Sequence, residues 1–299
     1  MAESLDIANP AQDIRCTSCH APFAALKKAE KLESARPEEG VSCESCHGAA
    51  GSWVRTHTRT DVSRPQRVAA GMRDLEDLYL RTNTCVACHQ VIEPDLLAAG
   101  HPRLHFEQAG LSEREPRHWQ ELWSDPQLWL VGQTAALREL SGKWVASGGD
   151  AWLHQEWTFL YGLLQAVGPT VGRSWTLPSG LDKPDSAFVR ACDAQTKALA
   201  SLRWSNDLTL PLLHTLVRHS KKPGPASEPA AFTKWKWQRI SASTVTLAGA
   251  LPAASRTSLS RPLSTLKLLD STPGPKDAGA SRKALADLLS LLEKEPAKP

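Results

Sequence analysis

The sequence lacks any long apolar run: its longest candidates, residues 157–167 and 208–217, are interrupted by polar residues and fall short of the ~20 needed to cross a bilayer. No segment alternates apolar and polar residues as a half-buried strand would, which removes sheet-based fold classes. No Lys/Arg cluster interleaves with aromatics, so a net charge of +3 does not point to nucleic acid. Methionine is down to two residues, and Met72 is the sole internal one, so methionine ligation of a metal at more than one position is excluded. Tyr (2) and Phe (5) are scarce beside 11 Trp. The opening residues, MAESLDIANP, carry no apolar core of a secretion signal.

Cysteine is the informative presence. Six of the seven fall within the first 88 residues, and Cys192 stands apart. The six form Cys16-Thr-Ser-Cys19-His20, Cys43-Glu-Ser-Cys46-His47 and Cys85-Val-Ala-Cys88-His89. Two thiols three positions apart lie on one turn of a helix and reach the two vinyl groups along one porphyrin edge; the next residue places an imidazole under the iron. Three such motifs predict three covalent haem c groups, with thioethers at Cys16, Cys19, Cys43, Cys46, Cys85 and Cys88 and proximal iron ligands at His20, His47 and His89. A zinc ribbon would need the motifs in pairs. A thioredoxin-type dithiol would need a βαβ unit, and none is visible. Haem attachment to this motif takes place outside the bacterial cytoplasm, so a periplasmic or extracellular location, with a signal removed, is expected.

The expected fold is mainly α, in two domains. Residues 1–125 read as a trihaem cytochrome domain of short helices and loops, with helical pieces at 23–34, 75–83 and 95–99, packed around macrocycles that supply the apolar interior. Residues 126–299 carry apolar residues at helical spacing over 128–146, 152–167, 187–202, 208–219, 232–251, 259–269 and 282–292. Breaks at Gly148-Gly149, Gly168-Pro169, Lys222-Pro223-Gly224-Pro225 and Pro273-Gly274-Pro275 leave short connections, the pattern of a helical bundle. Trp123, Trp129, Trp144, Trp152 and Trp157 are most simply core, and Cys192 a small buried hydrophobe. The end, residues 293–299, is expected to fray.

Whether a haem carries electrons or binds a small molecule depends on its sixth ligand. Seven histidines remain beyond the motifs. His57 follows His47 by ten residues, too near to fold easily over its own haem but able to reach a neighbour. His101 sits in Ala-Ala-Gly-His-Pro, where Gly100 permits close backbone approach to a flat ring and Pro102 can open a helix that places His105 one turn later on the same face. His118 precedes Trp119, a candidate haem-wall aromatic. His57, His101 and His118 are therefore candidate distal ligands. His105, His154, His214 and His219 read as ordinary surface or packed residues, the last two within a helix whose C-terminus they cap as cations.

The run from Gly40 to Gly48 (GVSCESCHG), Trp53, His57, the Cys85 motif, the run from Leu96 to Glu107 (LLAAGHPRLHFE) and Pro116-Arg-His-Trp119 together resemble the multihaem cytochrome c superfamily. That group includes tetrahaem electron carriers of nitrifying bacteria and periplasmic proteins with an Ala-Ala-Gly-His-Pro segment. The resemblance covers roughly residues 14–120 and implies bis-histidine haems in closely packed pairs, with His57, His101 and His118 at distal-ligand or haem-contact positions. The chain departs from it in having no fourth motif with a doubled His, and in reading Gln-Val-Ile-Glu-Pro-Asp after His89.

Three readings of function follow. The first is an electron carrier, mostly through bis-histidine haems, exchanging electrons with redox proteins. The second is a reductase or oxidase of a small nitrogen or sulfur compound, using one five-coordinate haem; the haem on His20 is its candidate, because residues 21–40 offer no nearby histidine. The third is a subunit of a larger respiratory complex or a self-associating cytochrome, docked through residues 126–299. No catalytic residue is assigned.

Overall fold

A computed structural model of the chain describes residues 1–23, 36–114, 120, 122–221, 228–271 and 278–294. Helix makes up 67% of the structure, in 14 helices with no strand among the described residues, so the protein is mainly α as its periodicity predicts. The helical piece expected over 23–34, the turns at 222–225 and 273–275, and His118 with Trp119 lie outside the described residues, apart from Phe23. The chain divides into two compact units, Met1–Phe106 and Glu107–Pro299.

The first unit is built from short helices: α1 (Ile14–His20), α2 (Cys43–His47), α3 (Arg64–Ala69), α4 (Leu78–His89) and α5 (Pro94–Ala98). Each starts where a side chain or a proline meets the free N–H groups of a first turn. Asp13 accepts from the Arg15 N–H at 2.9 Å, Asp77 from those of Tyr79 and Leu80 at 2.9 and 3.1 Å, and Ser42 and Ser63 form capping boxes with Ser45 and Gln66. The apolar interior is small, centred on Trp53, Leu78, Val86, Leu96 and Phe106, while Ile14 and Val41 stay 61% and 63% exposed. Both lie two residues before the first cysteine of a motif, so bulky apolar side chains flank the motifs with no protein core to enter.

The second unit is a conventional helical core. Its long helix α7 (Asp125–Ser147) is buried on every side over most of its first four turns, and the polar side chains in that stretch, Gln127, Gln133 and Thr134, are all hydrogen-bonded. It packs against α6 (Gln108–Arg114), α8 (Ala151–Val167), α9 (Ser186–Ala200) and α11 (Ala230–Gly249). Helices α10 (Thr209–Ser220), α13 (Ser260–Ser271) and α14 (Ala278–Leu292) close the bundle against α11, and the short α12 (Ala253–Ser258) leads into α13. The sequence pattern over 259–269 thus marks the second of two helices. Trp129 and Trp157 are fully buried, and their indole N–H groups donate to Ser243 Oγ at 2.8 Å and Ser141 Oγ at 2.9 Å. Trp123, Trp144 and Trp152 are only partly covered. Cys192 is enclosed, and burial pushes its thiol up to about 12, as suits a small hydrophobe.

One polar group of this core titrates near neutrality. Arg239 is buried; its Nη2 donates to Gln133 Oε1 at 2.6 Å, and its Nη1 lies 3.7 Å from Glu156 Oε1. Gln133 Nε2 in turn donates to Glu107 Oε2 at 3.2 Å. Burial pushes the Glu107 carboxyl up to about 7, while Arg239 and the Ser243 hydroxyl pull the other way. A carboxyl raised in the folded state stabilises it fully below the unfolded value near 4.5, and that contribution is lost as pH climbs through about 7. The second unit is therefore expected to lose on the order of 2–3 kcal/mol between pH 4.5 and 7.5 through this group. Urea unfolding followed by circular dichroism across that range checks it: Glu107→Gln should remove the decline, and an equal slope in wild type and variant would contradict the assignment.

Candidate functional site

All three cysteine motifs sit at the same place in a helix. The sequence predicts a turn of helix over each, and each proves to be a C-terminal turn: α1, α2 and α4 end on His20, His47 and His89 respectively. The two thiols of each motif therefore share one face, and the imidazole stands at the helix end. None of the six cysteines is in a disulfide, and none is buried. The motifs also approach one another. The Cys88 thiol is pushed up to about 11, first by burial and then by the neighbouring thiols of Cys19 and Cys46.

Side chains that the motif does not contain hold these turns. Helices α2 and α4 pack together. Arg73 ties them: its backbone N–H donates to His47 O at 2.7 Å, and its Nη1 donates to Cys46 O at 2.9 Å and reaches Thr84 Oγ1 on α4 at 3.4 Å. Glu44, between the cysteines of the second motif, accepts the Ala50 N–H at 2.6 Å and folds the following turn back onto the motif. That turn carries Trp53, whose ring stands edge-on to His47 (centroids 6.1 Å) and to His57 (5.8 Å). Nothing in the residue pattern singled out Arg73 or Glu44, because their partners are backbone groups and carry no sequence signature.

His101 is placed beside the first motif. Its ring centroid lies 6.3 Å from that of His20, the two rings tilted by 57°. Three contacts bring it there. Arg15 on α1 reaches Asp95 on α5 at 3.7 Å. Gln90, directly after His89, accepts the Phe106 N–H at 2.8 Å and closes the loop between them. Helix α5 then ends with the Gly100 N–H on Leu97 O (3.1 Å) and the His101 N–H on Leu96 O (2.9 Å), the paired bonds of a Schellman stop. That stop requires the left-handed φ of +99° at Gly100, whereas a Cβ there would meet nothing within 4 Å. The glycine thus serves the turn, and among protein atoms its surroundings are open. One correction concerns Pro102: residues 101–107 are not helical, so His105 is not one turn above His101.

Both described candidate distal histidines are oriented by a backbone carbonyl. His101 Nδ1 lies 2.8 Å from Pro102 O, and His57 Nδ1 lies 2.6 Å from Val54 O. A carbonyl only accepts, so Nδ1 carries the proton and Nε2 presents a lone pair, as a metal ligand requires. In the second unit, His154 packs edge-on to Trp144 at 5.0 Å. His214 Nε2 accepts from Arg218 at 3.2 Å, and burial followed by that guanidinium pushes His214 down, so it is uncharged. The basic residues in the last turn of α10 are Arg218 and His219.

Among the described residues, no group of three or more His, Cys, Asp or Glu is assembled to hold a bare metal ion. A haem iron needs no such group, since the porphyrin supplies four of its ligands. The donor set fits the macrocycle: thiols outside any disulfide, three apart on one helical turn, an imidazole at its end, and exposed apolar side chains at Ile14 and Val41 for a flat ring to cover.

These features are those of a c-type cytochrome attachment site. Residues 1–48, which span the first two motifs, match the family model described as cytochrome c554 and c-prime, and this supports a c-type cytochrome relationship with covalently bound haem. No curated protein and no solved structure matches the chain. No helix among the described residues is long and apolar enough to cross a membrane.

Proposed function

We propose that the chain is a trihaem c-type cytochrome that transfers electrons outside the cytoplasm. Cys16/Cys19, Cys43/Cys46 and Cys85/Cys88 hold the haems as thioethers, each S–H adding across a vinyl double bond, and His20, His47 and His89 are the proximal ligands. The haem supplies an iron that gains and loses one electron without leaving the protein. The chain fixes the spacing of the groups, through Arg73 between the second and third motifs, and orients their ligands.

The observation that carries the reading is the pairing of His20 with His101. Two imidazoles on opposite sides of one metal, each bonded at about 2.0–2.1 Å, have ring centres about 6 Å apart. The 6.3 Å between His20 and His101 supports their sharing one iron, with His101 Nε2 as the sixth ligand. A closed first haem favours electron transfer over small-molecule chemistry, because His20 was the haem for which the sequence offered no nearby partner. His57 and His118 remain the candidates for the other two irons, and His57 already has the matching tautomer.

The test is the holoprotein matured in a host that attaches haem c. Its intact mass should exceed that of the polypeptide by three haems, and magnetic resonance should show every iron low-spin. A mass short of three haems, or a high-spin component that binds carbon monoxide, would contradict the proposal.

A further inference from the structure

Two thiols from different motifs meet in the first unit. The Cys19 and Cys88 side chains are hydrogen-bonded to each other, and Cys46 lies close enough to act on Cys88 as well. Independent contacts draw the three motif helices together. Arg73 Nη1 spans from Cys46 O on α2 to Thr84 Oγ1 on α4, one turn before Cys88. Arg15, directly before the first motif on α1, reaches Asp95 on α5, and the His20 ring lies beside that of His101, just past the end of α5. Both thiols are partly exposed, and neither is in a disulfide.

A disulfide needs Cβ atoms about 3.8 Å apart, whereas positions three apart on a helix hold theirs at about 5–6 Å. Bridging the two cysteines of one motif therefore requires its helical turn to open. Two thiols in contact from separate helices carry no such constraint. We propose that, before any haem is attached, Cys19 and Cys88 are a thiol pair that oxidises to a disulfide joining the first motif to the third. The oxidant is a small disulfide of the glutathione class, which a chain outside the cytoplasm meets. One cysteine thiolate displaces one of its thiols to give a mixed disulfide, and the other cysteine then displaces the second. The chain gives up two electrons and two protons, and the oxidant leaves as two thiols. The bond itself does not depend on haem; its consequence rests on the haem reading above. It removes one S–H from each of the first and third motifs and leaves the second with both, so this pair decides whether one motif or all three can take a doubly attached haem.

The test uses the full chain produced without haem attachment, reduced and then treated with oxidised glutathione. After unfolding, two of its seven thiols should prove refractory to alkylation. Non-reducing peptide mapping should find Cys19 joined to Cys88, a link that a reductant removes. Cys16→Ser should leave this cross-link in place, and Cys19→Ser should abolish it. With denaturant present during oxidation the preference should pass to pairs within a motif, whose loops are the shortest. Within-motif pairs under native conditions, a scrambled set, or seven thiols still open to alkylation overturn the inference. The haem reading is scored separately by the mass of the holoprotein. A mass short of three haems, with the Cys19–Cys88 link formed on the haem-free chain, leaves this inference standing; three haems without the link overturn it alone.

Discussion

Replacing His101 by Ala is expected, on the trihaem reading proposed above, to convert one of three haems from low-spin to high-spin, about a third of the iron signal, and to open that site to carbon monoxide. The expectation follows from the 6.3 Å between the His101 and His20 rings and from the bond of His101 Nδ1 to Pro102 O, which leaves Nε2 to ligate. The contacts that deliver His101 (Arg15 with Asp95, Gln90 with Phe106, and the Schellman stop) do not involve its imidazole. The variant should therefore fold and retain its haems. Added imidazole should restore the low-spin spectrum by occupying the vacated position, a recovery that general disruption would not permit. An unchanged spin state in His101→Ala would show that another residue ligates this iron.

The second large effect lies in the helical unit. Arg239→Met is expected to destabilise that unit by about 3–5 kcal/mol at pH 8, the usual cost of breaking a buried ionic arrangement from one side. The guanidinium, pulled down by burial and raised by Glu156 and Glu107, faces those two carboxylates and also stacks 5.1 Å over the Trp235 ring. Its loss removes the guanidinium that faces both acids in a core that solvates them poorly. Since Glu107 takes up a proton near pH 7, the penalty should shrink at pH 5. Chemical unfolding at the two pH values measures both numbers. The double variant Arg239→Met with Glu156→Gln should recover part of the loss, because it removes one stranded charge; a loss below about 1 kcal/mol at pH 8 would show the network to be dispensable.

Much of this was legible in the sequence, and unevenly. Periodicity located the helices of the second unit to within a few residues, because there an apolar stripe meets a protein core. It did less well in the first unit, where the helices named above are five to twelve residues long and three of the five end on the motif histidines. The motifs themselves needed only the spacing of Cys and His. That His101 stands beside His20 did not follow from sequence, since it is 81 residues away and is delivered by contacts at Arg15, Asp95, Gln90 and Phe106. Gly100 stood out in the residue pattern, and the structure adds a role that pattern did not show: its left-handed φ is a property of how α5 stops.

The shared position of the three histidines also has an electrostatic side. Each ends its helix, where the last carbonyls have no amide partner further along that helix and the aligned peptide dipoles present their negative pole. An electron-rich surrounding favours the higher charge on whatever the imidazole binds. The bias is not uniform. Helix α4 stacks twelve residues of dipole behind His89, α1 seven behind His20, and α2 only five behind His47. The end of α2 in addition holds the Arg73 guanidinium on its carbonyls at Ser45 and Cys46. Three motifs of the same Cys and His spacing thus stand in different surroundings, and a haem held at the second, beside the Arg73 guanidinium, would be the more receptive to an added electron.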